Sequence, residues 1–173
     1  VSEIRPLSER DLLRVRSVAG VAWAQPYFTS RALVELPDGT YKTAQIIGLD
    51  RSTLVGQPPM MVEGSLDALR APDAVVIEES SRDKLAKVNI GDTLRLNDQR
   101  AVVVGFCRAT TGFDSNALIY TTIDNALEFV PVGREAISFY LVKVQPGADR
   151  DAVARAIEDR TGLGAFTLEQ LRG

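Results

Sequence analysis

The chain has 173 residues, 45% of them apolar and 25% charged, which is enough apolar material for a buried core. Lys and Arg number 20 against 23 Asp and Glu, so the formal net charge is −3, and a duplex-binding protein of the usual basic kind is excluded. The lack of histidine removes the commonest general base and zinc ligand, and a single cysteine, Cys107, excludes an internal disulfide.

In chain order, Ser8 is the predicted cap of a first helix. Glu9 and Asp11 lie in its first turn, and Leu12, Leu13, Val15 and Val18 follow at helical spacing. Gly20 ends it. Val21 to Leu36 is rich in β-formers, and Pro26 predicts a bulge or an edge position there. Pro37-Asp-Gly is a turn, and Thr40 to Leu49 is the partner strand. Residues 50–72 read as a loop with one helical turn near Leu66 to Leu69.

Val75-Val-Ile is a short buried strand, and Ser80 to Ala86 a short helix capped by Ser80 or Ser81. Asn89-Ile-Gly-Asp is a turn, after which Thr93 to Leu96 and Arg100 to Cys107 form a hairpin across Asn97-Asp-Gln. Ala117 to Thr121 is a strand and Thr122 to Phe129 a helix. Ile137 to Val144 reads as a central strand. Asp149 caps a helix to Thr161, stopped by Gly162 or Gly164, and Ala165 begins a last short strand.

The residues that could carry chemistry are few. Glu78-Glu79 with Asp83 sit at a helix start, where acidic side chains suit the dipole and adjacent ones diverge. Ser80 and Ser81 have only Lys84 and Lys87 as candidate bases, with no oxyanion motif around them. Asp92 lacks the spacing of a hard-cation loop, and Cys107 reads as a buried small hydrophobe. No catalytic residue, cofactor or metal site is expected. Trp23, Tyr27 and Phe28 are either core or a partner contact, and Phe113, at the tip of the polar stretch from Thr110 to Asn116, is a further candidate partner contact or part of a solvated turn. Met60 and Met61 either fill a gap in the core or line a cleft.

Taken in order, Val18-Ala-Gly-Val-Ala-Trp-Ala-Gln-Pro, Ile46-Ile-Gly-Leu-Asp, Leu54-Val-Gly-Gln-Pro, Ala74-Val-Val-Ile-Glu-Glu-Ser-Ser, Ile90-Gly-Asp, Val102-Val-Val-Gly-Phe, Ile119-Tyr-Thr-Thr and Phe139-Tyr-Leu-Val-Lys-Val-Gln-Pro-Gly-Ala-Asp form a pattern. It resembles the extracytoplasmic core domain of MacB-type ABC transporter permeases, in the broad FtsX-like group, and more closely its DevC-like branch. The likeness runs from about Leu12 to Leu168. Lys87 departs from it, because the family more often has Gly there.

The resemblance implies an α+β fold: a split, porter-like α+β subdomain built from both chain ends (1–50 and 135–173) and an inserted β-rich subdomain (51–134). The residues independently suggest two helix-strand units flanking a β-rich middle. The resemblance further implies a non-enzymatic domain on the periplasmic side of the cell inner membrane, between the first and second transmembrane helices of an exporter permease. Its partners would be those helices, a second permease copy, a cytoplasmic ATPase acting indirectly and a periplasmic membrane-fusion adaptor. No signal peptide is expected, and both ends read as cut in mid-course, so absent membrane segments say nothing of a longer parent. Residues 50–72 and 130–134 are the expected hinges. The alternative function is a lipid- or solute-binding periplasmic module with a cleft between the subdomains.

Overall fold

In a computed structural model describing residues 9–109, 116–130, 137–162 and 164–167, the elements run α1 (Glu9–Arg16), β1 (Val21–Glu35), β2 (Tyr41–Leu49), β3 (Met60–Gly64), β4 (Ala74–Glu78), β5 (Thr93–Leu96), β6 (Gln99–Arg108), β7 (Ala117–Thr122), α2 (Ile123–Phe129), β8 (Ile137–Val144), α3 (Arg150–Thr161) and β9 (Ala165–Thr167). Short 3₁₀ turns lie at Leu66–Arg70, Glu79–Ser81 and Asp83–Leu85. The fold is α+β, and the chain divides into two units, residues 1–27 with 137–173 and residues 28–136. β1 contributes to both. Ser8, Phe113 and residues 131–134 lie outside the described residues.

The unit made from both chain ends orders its strands β1–β8–β9. β9 runs parallel to β8, Tyr140 opposite Ala165 and Val142 opposite Thr167, and parallel neighbours need a crossover, here α3. Asp149 starts that helix, its Oδ1 accepting from the amides of Asp151 (2.9 Å) and Ala152 (3.3 Å). Gly162 ends it at φ +72°. Val153 and Ile157, one turn apart, join Val15, Val18, Val21, Ala24, Tyr140 and Val142 in the core. α1 stops at Arg16, and the chain reaches β1 through Gly20 at φ +90°. A Cβ there would lie 2.9 Å from Val153 Cγ2, so only glycine lets this turn sit against α3.

The Tyr140 hydroxyl is buried without a hydrogen-bond partner among the described residues. Burial, and then the nearby Asp11 charge, push its pKa up to about 12. A buried donor left unpaired costs more than one removed. Tyr140→Phe is therefore expected to raise the unfolding free energy by about 1 kcal/mol, read as a higher urea midpoint.

In the unit of residues 28–136 the pairings run β2–β7–β4–β6–β5–β1, and a β1–β2 pairing returns the path to its start, a closed circuit that leaves those strands few open edges. β7 is parallel to β2 and β6 to β4, whereas β1–β5, β4–β7 and β5–β6 are antiparallel. Phe28, Ile46, Leu49, Ile77, Leu96, Phe106, Ile119 and Phe129 are fully buried. Gly48 lets α2 approach β2, since a Cβ there would meet Ala126, Ile123 and Phe28 at 3.2 Å. The β5–β6 turn is the two residues Asn97 and Asp98, at φ +48° and +66°, as a primed hairpin turn requires. Asn97 also accepts from Leu33 N at 2.9 Å and donates to Phe129 O at 3.0 Å.

Two expectations change here. Residues 50–72 are more than a loop, because β3 pairs antiparallel with β6, bulged between Met61 and Glu63. Arg51 and Arg70 stitch this stretch together, each guanidinium donating to the other's carbonyl at 3.2 and 2.8 Å. Ser80 to Ala86 forms two 3₁₀ turns instead of an α-helix, and neither serine caps it. Pro26, where the sequence predicts a bulge or an edge position, falls within the span of β1. The turn at Asp50 adds a pH dependence. Burial alone would raise its pKa, but hydrogen bonds from Ser52 Oγ (2.6 Å), Thr53 Oγ1 (3.0 Å) and Thr53 N (3.0 Å) outweigh it and hold the carboxyl below its usual 3.8. A pKa lower in the folded than in the unfolded state gives stability that is complete above the unfolded value and lost as pH falls through the folded one. An acid titration of Tm should show that loss, and Asp50→Asn should flatten it.

Lys87, where the resemblance leads one to expect Gly, adopts φ +53° directly after Ala86 at φ +62°. Left-handed backbone costs an L side chain about 1–2 kcal/mol, part of which glycine returns through its looser unfolded chain. Lys87 is exposed, so nothing else is lost. Lys87→Gly is expected to stabilise the fold by about 0.5–1 kcal/mol, measured by urea unfolding.

Candidate functional site

The carboxylate and serine candidates are held in place by one another. Glu78, at the end of β4, is 4% exposed. Its Oε2 accepts from Ser80 Oγ and from Ser81 Oγ at 3.4 Å. Ser81 Oγ in turn accepts from Leu118 N at 3.0 Å, so the hydroxyl joins the β4 end to β7. Glu79 pairs with Arg108 at 3.0 Å. Neither serine hydroxyl is committed to a lysine; both donate to a carboxylate. Cys107 sits opposite Glu78 in the β4–β6 ladder. Burial, and then the Glu78 charge, push its thiol up to about 12, far from the thiolate that reacts. Asp92 serves its turn, with Oδ2 accepting from Asn89 N at 2.8 Å. Among the described residues no cluster of potential metal ligands forms, and no helix is long and apolar enough to cross a membrane.

The three aromatics of β1 separate. Tyr27 and Phe28 are 3% and 1% exposed and offer no surface, while Trp23 is half-buried. Met60 is exposed on β3, and Met61 is half-buried with its methyl group against Gly105. Trp23 instead borders an open cavity of about 540 Å³ inside the unit made from the chain ends. Lys143, Pro146, Gly147, Arg150 and Thr167 share its lining, and Met60 and Met61 do not. The loop between β8 and α3 shapes the mouth. Gln145 N donates to Gly20 O at 2.7 Å and Ala148 N to Gln145 O at 3.0 Å. Sequence reading missed Lys143 and Arg150, because a lysine near a strand end and an arginine opening a helix are ordinary surface residues until the fold joins them.

A family model described as MacB-like periplasmic core domain matches residues 2–160. The fold is similar to the periplasmic region of MacB from Actinobacillus actinomycetemcomitans, at 16% identity and a TM-score of 0.61, covering 93% of this chain and 77% of that one. It is likewise similar to the extracellular domain of the noncanonic ABC-type transporter YknZ from Gram-positive bacteria, at 16% identity and a TM-score of 0.62, covering 91% of this chain and 85% of that one. No curated protein matches the sequence.

Proposed function

The chain belongs to the family of MacB-like periplasmic core domains, and from that footing we propose that it is the periplasmic domain of an ABC exporter permease of the inner membrane, relaying ATP-driven motion to a membrane-fusion adaptor. The domain itself catalyses nothing. Its parent works as a pair of permease copies with a cytoplasmic ATPase, which acts on it through the membrane helices at either end of the domain.

The observation that carries this reading is the split of the chain. Both chain ends fall in one unit, and residues 28–136 form another. Load delivered at two tethers therefore enters one body, and it reaches the other through only two covalent crossings, near 27–28 and 136–137. The first of these is mid-strand in β1, a stiff link suited to passing displacement rather than absorbing it. The stretch 50–72 lies within one unit and is stitched by Arg51 and Arg70, so displacement passed on at the crossings does not run through it.

The test inserts a Gly-Ser-Gly segment between Tyr27 and Phe28 in the parent permease, reconstituted with its ATPase and adaptor. ATP hydrolysis should persist while export falls to background. Export at the wild-type rate would sink the relay, and failure of the intact permease to bind the adaptor would remove that partner. Circular dichroism of the 173-residue chain with the same insertion shows that loss of export is not loss of folding.

A further inference from the structure

We propose that the cavity between β8 and α3 binds a phosphate ester, a site that goes beyond the relay role and does not depend on it. The cavity measures about 540 Å³, within the range of small-ligand sites. Among the described residues that line it none is acidic, and two, Lys143 and Arg150, are cationic. This concentration of positive charge stands out in a chain of net charge −3. Lys143 has no ion-pair partner among the described residues. Asp149 and Asp151 flank Arg150 in the chain, and Asp149 Oδ1 accepts from the Asp151 and Ala152 amides. Those amides are thereby occupied, so the charge offered to a ligand comes from the two side chains and not from an open helix end.

The remaining lining suits the ester side of such a ligand. Trp23 is half-buried at the border and presents an aromatic wall. Gly147, at φ +83° with no atom within 4 Å of where a side chain would begin, leaves the mouth bare. A phosphate between the guanidinium and the ammonium, with its glycerol-like carbon chain against the indole, satisfies each surface in kind. That chemistry has two sources, a soluble phosphate ester or a phospholipid headgroup.

Trp23 is the only tryptophan in the chain, so its fluorescence reports the site directly. Titration of the 173-residue chain with sn-glycerol 3-phosphate should give a saturable change. The change should weaken with salt and shift to about tenfold higher concentration in Lys143→Gln and in Arg150→Gln. Lys42→Gln, in the other unit, should leave it unchanged. Phosphatidylcholine vesicles containing phosphatidylglycerol, compared with phosphatidylcholine alone, separate the sources. A response to the former but not the latter assigns a lipid headgroup, and a response to glycerol phosphate alone assigns a soluble ester. No saturable response to either probe, or one that both glutamine variants keep at wild-type strength while their circular dichroism is unchanged, overturns the proposal.

Discussion

Gly64→Ala is expected to cost about 3–4 kcal/mol and to release β3 from β6. Gly64 has φ +78°, and a Cβ there would lie 2.3 Å from Val104 O and 2.9 Å from Gly105 Cα. Both obstacles are backbone of the neighbouring strand, so no side-chain rotation relieves them. Either β6 shifts, which the β4 and β5 ladders on it resist, or β3 leaves. β3 is the weaker party, with five residues, a bulge and pairing only to β6. Its departure also breaks the Glu63–Arg82 contact at 3.1 Å. The check is the urea midpoint together with hydrogen exchange at residues 60–64, which should lose protection while β4 keeps it. Gly105→Ala separates the causes. It faces Gly64 in register and would set a Cβ 2.7 Å from Glu63 O, but without a left-handed backbone. It should cost less than Gly64→Ala, by about the 1–2 kcal/mol of the conformational term.

Elements defined by local chemistry were legible from the residues. The Asn97-Asp98 turn can be read because few residues accept consecutive positive φ, and α3 can be read because Asp149 and Gly162 mark its ends. β3 could not, since Met60–Gly64 shows no alternation and follows two prolines. Its strand character comes from β6 alongside it, forty-one residues away by the Gly64–Gly105 pairing. The serines after β4 looked like helix caps because the acceptor that takes their hydroxyl protons, Glu78, is a neighbour whose burial only the sheet decides. The passage between units, at Tyr27 and Phe28, falls in mid-strand where no turn residue marks it. In the candidate site, Trp23 could be named as one of three aromatics able to face a partner. Which of them keeps a surface depends on what covers each side of β1. Lys143 and Arg150 lie more than a hundred residues beyond it, and periodicity does not encode that convergence.

Arg82→Ala is expected to destabilise the unit of residues 28–136 by about 2–3 kcal/mol, because one side chain there holds four partners. Nε donates to Val88 O at 2.8 Å, Nη1 to Glu63 Oε2 at 3.1 Å and Nη2 to Asn89 Oδ1 at 2.5 Å. The guanidinium lies 4.2 Å over the ring of Phe106, itself 1% exposed. Alanine leaves Val88 O without its donor and opens the ring face to water. The side chain is 31% exposed, so the Glu63 pair contributes the least of these terms, and salt should change the loss little. Lysine cannot fork to three acceptors, so Arg82→Lys should recover less than half of the loss. Arg82→Met, which keeps the apolar stem over Phe106, separates packing from hydrogen bonding. Full recovery by lysine in urea unfolding would reduce the role to charge alone. Gly64→Ala and Arg82→Ala both release the Glu63 contact. Combined, they should cost less than the sum of the two, whereas independent sites would add.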